Sequence, residues 1–257
     1  MRIGTWNVEY GAGAEKNARR MAILVRHAAD LWVLTETHDN LDLSASHVPI
    51  HSRQRPHGRP GGRWVSIWTR FPVLHSVEVI DPVRTVAAMV MVPTGPLLVY
   101  GTVMPWASDR GDAPFGAPVR AWSEHHRVVA QQGEEWAALR ERYPGVDLCV
   151  AGDLNMNLGG KHYYGTAHGR RLLREAMMAH DLFCATETEQ VPAGSLAHPP
   201  IDHVLLPTAW APRTAVIATW EGRDGPEPRM SDHSGLVVAV GGDRPATRSP
   251  LSAGHSR

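Results

Sequence analysis

Apolar positions fall in short runs separated by polar turns. Met1 to Trp6 is a short apolar-leaning stretch, and Ala18, Met21, Ala22, Val25, Ala28 and Ala29 recur near helical spacing between Ala14 and Ala29. This pattern predicts a strand followed by an amphipathic helix. Leu31 to Leu34 is a compact apolar run that stops at Thr35-Glu36-Thr37-His38, as a buried strand would if it delivered polar groups at its C-terminal end. Four further candidate strands are Trp64 to Trp68, Ser76 to Ile80, Val83 to Val92 and Leu97 to Met104, which Pro and Gly turns join into a β-meander. Val119 to Arg142 reads as a long helix ended by Tyr143-Pro144-Gly145, and Asp147 to Ala151 as a buried strand. A helix over Gly169 to His180 and strands at Ile201 to Leu206, Ala215 to Trp220 and Gly235 to Val240 complete the pattern.

Strands feeding helices alternate with runs of strands, which predicts one layered α/β or α+β domain over residues 1–240. From Gly241 the chain is rich in Gly, Pro, Ser and Arg, so residues 241–257 are expected to form a disordered tail. Composition narrows the partners: the chain has 257 residues, 43% of them hydrophobic, enough for one sizeable core. With 26 basic and 26 acidic residues there is no global positive field, so a polyanion must be met by a local patch. The segment from His51 to Arg63 is such a patch, with Arg53, Arg55, Arg59 and Arg63 among prolines and glycines. Cys149 and Cys184 fit a reducing cytoplasm and a core role, and no apolar run is long enough to span a membrane.

Several strands end in polar clusters, and strand ends on one rim are where sites form. Gly152-Asp153-Leu154-Asn155 offers a carboxylate and an amide two apart, which face the same way if the chain stays extended. Such a pair can orient a water and a phosphate oxygen; an Asx turn explains the tetrapeptide equally well. Asp202 lies among apolar residues and wants a cationic or hydrogen-bonding partner, for which His233 in Ser231-Asp232-His233 is a candidate. Asn7, Glu9 and Glu36 are oxygen ligands of the kind that suits Mg²⁺ or Mn²⁺. Fifteen histidines invite zinc, but there is no His-Glu-x-x-His and no Cys-x-x-Cys. Histidines 47, 51, 57, 75, 168, 180 and 198 are read as surface or loop residues, and Trp106 as a stacking platform.

Taken in order, Thr5-Trp6-Asn7-Val8-Glu9, Thr35-Glu36-Thr37, Gly152-Asp153-Leu154-Asn155, Ile201-Asp202-His203-Val204-Leu205 and Ser231-Asp232-His233 resemble the endonuclease/exonuclease/phosphatase superfamily. The segment from Gly62 through Trp68 to Arg70-Phe71-Pro72 is similar to one of its strands and turns. The resemblance implies a DNase I-like fold: a four-layered α/β sandwich with two facing mixed β-sheets flanked by helices. It also implies metal-assisted hydrolysis of a phosphate ester by water. Carried over, Glu36 would be the principal Mg²⁺ ligand with Asn7, Glu9 and Asp232 around it. Asp153 would orient or deprotonate the water, Asn155 would hold it or the phosphate, and His233 would contact the phosphate, oriented by Asp202.

One position departs from the pattern. Where many members carry His or Tyr, this chain has Val103 in Gly101-Thr102-Val103-Met104-Pro105, and valine donates no hydrogen bond. Either Arg110, His125 or His126 then stabilises the transition state, or the activity is reduced. The expected activity is a phosphodiesterase on nucleic acid, working as a monomer and helped by Arg63, Trp106 and Arg110. A phosphomonoesterase, a phospholipid-type hydrolase or a catalytically silent binding protein are the alternatives, since the fold does not choose the substrate.

Overall fold

The computed structural model describes residues 1–56, 58–114, 116–223 and 229–241. One six-stranded sheet combines β1 (Arg2–Asn7), β2 (Leu31–His38), β3 (Val48–His51), β4 (Gly62–Thr69), β11 (Thr214–Trp220) and β12 (Gly235–Val240), in the order β11-β12-β1-β2-β4-β3. The other combines β5 (Val73–Val77), β6 (Thr85–Val92), β7 (Gly95–Val103), β8 (Asp147–Asp153), β9 (Leu182–Cys184) and β10 (Asp202–Pro207), in the order β5-β6-β7-β8-β10-β9. Both sheets are mixed: β1 runs parallel to β2 and β7 parallel to β8, while the remaining pairs are antiparallel.

Three apolar clusters give four layers. Between the sheets lie Ile3, Val33, Ile67, Val99, Cys149, Val204 and Val238. Helix α1 (Ala14–His27) covers the outer face of the first sheet through Leu24, against Trp6, Trp32 and Trp68. Helices α2 (Ser123–Arg142) and α3 (Ala167–Ala179) cover the second through Val129, Trp136, Leu173 and Met177. No helix of the described residues is long and apolar enough to cross a membrane.

Local chemistry explains where elements differ from the sequence pattern. Helix α2 begins at Ser123 rather than Val119, because Trp122 holds a left-handed φ of 68°. Helix α3 begins two residues early, since the Thr166 hydroxyl caps the Gly169 N–H. The expected four-strand meander divides between the sheets, β4 in one and β5 to β7 in the other, and the short strands β3 and β9 carry too few residues to show a period. In α1 the buried residues are Asn17, Arg20 and Leu24, whereas Val25 is exposed. The helix turns a polar pair inward because the Arg20 guanidinium bonds the carbonyls of Glu9 and Met230. His47 and His180 are buried rather than superficial, each ring bonded to a backbone carbonyl, of Ala29 and Gly133 respectively. His57 and residues 242–257 lie outside the described residues.

Gly152 is required where β8 meets β7. Its φ is 133°, and a Cβ there would lie 2.1 Å from the Thr102 carbonyl oxygen. Gly152→Ala is therefore expected to cost about 3 kcal/mol or more, since neither backbone can yield without breaking the ladder. A urea titration measures this, as a lower unfolding midpoint at unchanged slope.

Candidate active site

Strand direction brings the polar clusters to one rim. The C-terminal ends of β1, β2, β7 and β8 share that rim with the N-terminal ends of β10 and β12, which run antiparallel to their neighbours. Asn7 closes β1, Glu36 lies near the end of β2, Asp153 closes β8, Asp202 opens β10 opposite Asp153, and His233 precedes β12.

The side chains meet there. The Asn7 amide donates to Glu36 Oε1 at 3.2 Å and to Asp153 Oδ2 at 3.1 Å, joining the two sheets. His233 Nδ1 donates to Asp202 Oδ2 at 2.6 Å, and His233 Nε2 stands 4.0 Å from Asp153 Oδ2. Asn155 donates to Asp153 from its backbone N–H at 2.9 Å and from its amide at 3.2 Å, and also to the Met104 carbonyl. Asp153 and Asn155 therefore converge through a turn, with Asn155 at φ 49°, rather than along an extended strand. The Asx turn and the paired carboxylate and amide are the same structure. Ser231 fixes the last loop by donating to the Asn7 carbonyl and accepting the His233 N–H.

Burial sets the electrostatics. Asp153 is 2% exposed, and burial raises its pKa to about 7 although His233 and the hydrogen bonds of Asn155 and Asn7 pull it down. Burial also works to lower His233, but the charges of Asp202 and Asp153 outweigh it and raise that pKa to about 10. The imidazole is thus a cation at neutral pH. Glu36 is raised by burial, against the Asn7 hydrogen bond and the charges of His233 and Arg55. Its backbone has a left-handed φ of 50° inside a strand, a conformation that costs roughly 1 kcal/mol or more and is found at sites.

A family model described as the Endonuclease/Exonuclease/phosphatase family matches residues 4–233. The chain belongs to the endonuclease/exonuclease/phosphatase family. Solved structures agree on the fold. A 3'-5' exonuclease from Neisseria meningitidis is 16% identical with a TM-score of 0.65, over 94% of this chain and 100% of that one. The human Nocturnin catalytic domain with bound sulfate is 15% identical with a TM-score of 0.63, over 93% of each chain. An AP endonuclease from Archaeoglobus fulgidus is 14% identical with a TM-score of 0.62, over 93% of this chain and 99% of that one. A search of curated proteins gives no match. The fold is thus the α/β sandwich of this family, whose neighbours in structure are named nucleases and phosphatases.

Other residues singled out by the sequence lie as follows. Asp232 is exposed at the rim, close enough to oppose ionisation of Glu36. The Glu9 carboxylate bonds Arg229 through Oε1, while Oε2 is buried without a partner among the described residues. Arg63 is held by Asp39 at 3.0 Å and by the Ser52 carbonyl, and Arg110 by the carbonyls of Pro114 and Ala117. Trp106 is 36% exposed. His203 does not accompany Asp202: alternate residues of β10 face opposite ways, so its ring is buried against the Met156 carbonyl.

Val103 is buried in the layer between the sheets, and the proposed substitutes are engaged elsewhere. His125 is buried, its Nε2 at the Leu154 carbonyl and its pKa lowered by burial to about 4. His126 bonds the Thr166 hydroxyl. A phenol the sequence did not suggest feels the charges of the site. Tyr164 packs on Trp122 in a loop that Asn157 clamps, close enough to Asp153 and Asp232 for their charges to raise it, after burial. Arg20 was also missed, hidden in a helical pattern, while Arg55 was named only as one of a run of loop arginines.

A divalent cation fits the donor set. Glu36 has one side-chain partner among the described residues, the Asn7 amide; Glu9 Oε2 and Asp202 Oδ1 are buried and unpartnered; and every donor is oxygen except His233. Asp153, Asp202 and His233 also lie with ligand atoms within 4.8 Å of one another. The 2.6 Å Asp202–His233 bond already engages two of these three groups with each other.

Proposed function

We propose that the chain is a divalent-cation-dependent phosphodiesterase that hydrolyses a nucleic-acid backbone by in-line attack of water. The line of contacts from Asn7 through Asp153 to His233 and Asp202 carries this reading: a buried base, with an imidazolium 4.0 Å away that is locked by a second carboxylate. Asp153 accepts the proton of the attacking water, which Asn155 helps to hold. The His233 imidazolium donates to a phosphoryl oxygen as charge builds there, and Asp202 fixes its orientation. Glu36, with Glu9 and Asp232, would hold Mg²⁺ or Mn²⁺, which neutralises phosphate charge when bound, while Asn7, whose Oδ1 accepts the Glu9 N–H, orients the Glu36 carboxylate through its own N–H. Trp106 is open to a base, while Arg63 and Arg110 would first have to release their internal partners.

Asn7→Ala tests the shared amide. Without its N–H, Glu36 and Asp153 face each other undamped and both carboxyls move further up, so the acidic limb of kcat against pH shifts to higher pH. At pH 7 the rate falls on the order of tenfold. An unshifted limb in the variant contradicts the role given to Asn7.

A salt titration tests the substrate class. Affinity for DNA should fall with a log-log slope of about −0.9 per neutralised phosphate, whereas a small ester responds little. A flat profile on DNA argues for a small or lipid phosphate ester.

A further inference from the structure

Beside the catalytic line, the rim carries a second constellation drawn from both sheets. Tyr10 follows β1, Arg55 precedes β4, Trp64 lies in β4, Arg84 precedes β6 and Trp106 follows β7. They stack as one ladder. The Arg55 guanidinium lies 3.6 Å from the Trp64 ring centroid and 5.0 Å from that of Tyr10. Arg84 lies 5.2 Å from Trp64 and 5.8 Å from Trp106, whose own centroids are 5.9 Å apart at 43°.

The two arginines differ in what they have left to give. Arg84 is bonded to the buried Asp109 at 2.6 Å, so its charge is answered and it serves as a strut. Arg55 is half-buried, yet its guanidinium has no ion pair or hydrogen bond among the described residues. Contact with the Trp64 and Tyr10 rings holds the guanidinium in place and leaves its N–H groups available to an anion, and a partly desolvated cation without one is costly. Its charge reaches Glu36, so it stands beside the catalytic rim. A cleft of about 420 Å³ opens next to it, lined by Tyr10, Thr37, His38, Arg55 and Arg59. At the far end Trp106 presents an open indole, its N–H already given to Ser108. Simple packing would account for Trp64, which is covered, but not for a cation without an ion pair among the described residues between exposed rings, Tyr10 and Trp106, at the two ends.

We propose that this ladder is a nucleotide-recognition platform, with Arg55 taking a phosphate next to the scissile one and Trp106 taking the face of an unpaired base. The enzyme then selects single-stranded or frayed nucleic acid over closed duplex and over small phosphate esters. The inference rests on the nucleic-acid reading above and adds a strand preference to it.

The test uses Arg55→Gln and Trp106→Ala, each made alone and also in an Asp153→Asn background that binds without cutting. Substrates are a fluorescein-labelled single strand of about 20 nucleotides, the same sequence closed as a hairpin duplex, and bis(p-nitrophenyl) phosphate. In anisotropy, each ladder variant should weaken single-strand binding by about tenfold or more, and Arg55→Gln should reduce the salt slope by roughly one phosphate. In turnover, the loss should fall mainly on KM for the strand and exceed any loss on bis(p-nitrophenyl) phosphate by about tenfold or more. The proposal is overturned by unchanged strand binding in both variants, by equal loss on all three substrates, or by a closed hairpin bound as tightly as the single strand. Those results leave the phosphodiesterase reading intact if the strand is cut. Wild-type protein that hydrolyses bis(p-nitrophenyl) phosphate but neither binds nor cuts any strand overturns the nucleic-acid reading, and the platform with it.

Discussion

Replacing Asp153 with asparagine should lower kcat by about 10³ or more while leaving the protein at least as stable as before. The two halves of this expectation come from one environment. Asp153 is almost fully buried, it accepts N–H bonds from Asn7 and Asn155, and it stands between the Asn7–Glu36 contact and the imidazolium. An amide there keeps the size and cannot accept the proton of water. For stability the sign runs the other way. A carboxyl raised to about 7 in the folded chain, above its ordinary value, makes the native state bind more protons than the unfolded one between those pH values. Stability therefore drains away as pH rises from the ordinary aspartate range toward about 7, and the neutral amide avoids that loss. Thermal unfolding at pH 8 should show a midpoint at or above that of the native chain; a marked fall would mean that Asp153 is a structural anchor instead.

His233→Ala should be both slower and less stable, and comparison with Asp202→Asn separates the two effects. Removing the ring leaves Asp202, 1% exposed and with Oδ1 already unpartnered, without its one cationic partner among the described residues. Stranding a buried carboxylate in this way costs about 3–5 kcal/mol, and loss of the phosphate donor costs on the order of 10² in kcat. Asp202→Asn keeps the ring and removes its charge partner, so the His233 pKa falls from about 10 and the alkaline limb of the rate moves to lower pH. The native pair also has a stability signature. A histidine raised in the folded state contributes stability that is fully present below its ordinary pKa and is lost as pH rises through about 10. Chemical denaturation at pH 6 and pH 10.5 should show that loss in the native chain and little of it in Asp202→Asn.

The layered fold and the meeting of Asn7, Glu36, Asp153, Asp202 and His233 were legible because each polar group interrupts an apolar run at a strand end, and strand ends share a rim. What escaped the sequence was orientation. Asp202 and His203 look like one cluster when written in a line, but a strand turns them to opposite faces. The apolar period of α1 pointed to Val25, whereas Arg20 and Asn17 face inward, drawn by backbone carbonyls that a hydrophobic pattern cannot register. Four arginines between His51 and Arg63 looked equivalent; Arg63 is consumed by Asp39, and Arg55 is stacked and unanswered. Tyr164 was invisible for a similar reason, since its closeness to Asp153 depends on how Asn157 folds the loop, not on sequence spacing.

The central claim is that this rim hydrolyses nucleic-acid phosphodiesters with a divalent cation and Asp153 as base. Its most direct test is hydrolysis of labelled DNA, as single strand and as duplex with and without an abasic site, by native protein and Asp153→Ala in Mg²⁺, Mn²⁺ or EDTA. Cutting that requires the metal and disappears in the variant is the expected result. Cutting that survives EDTA or the loss of Asp153, or no cutting of any strand by native protein in either metal, would contradict it.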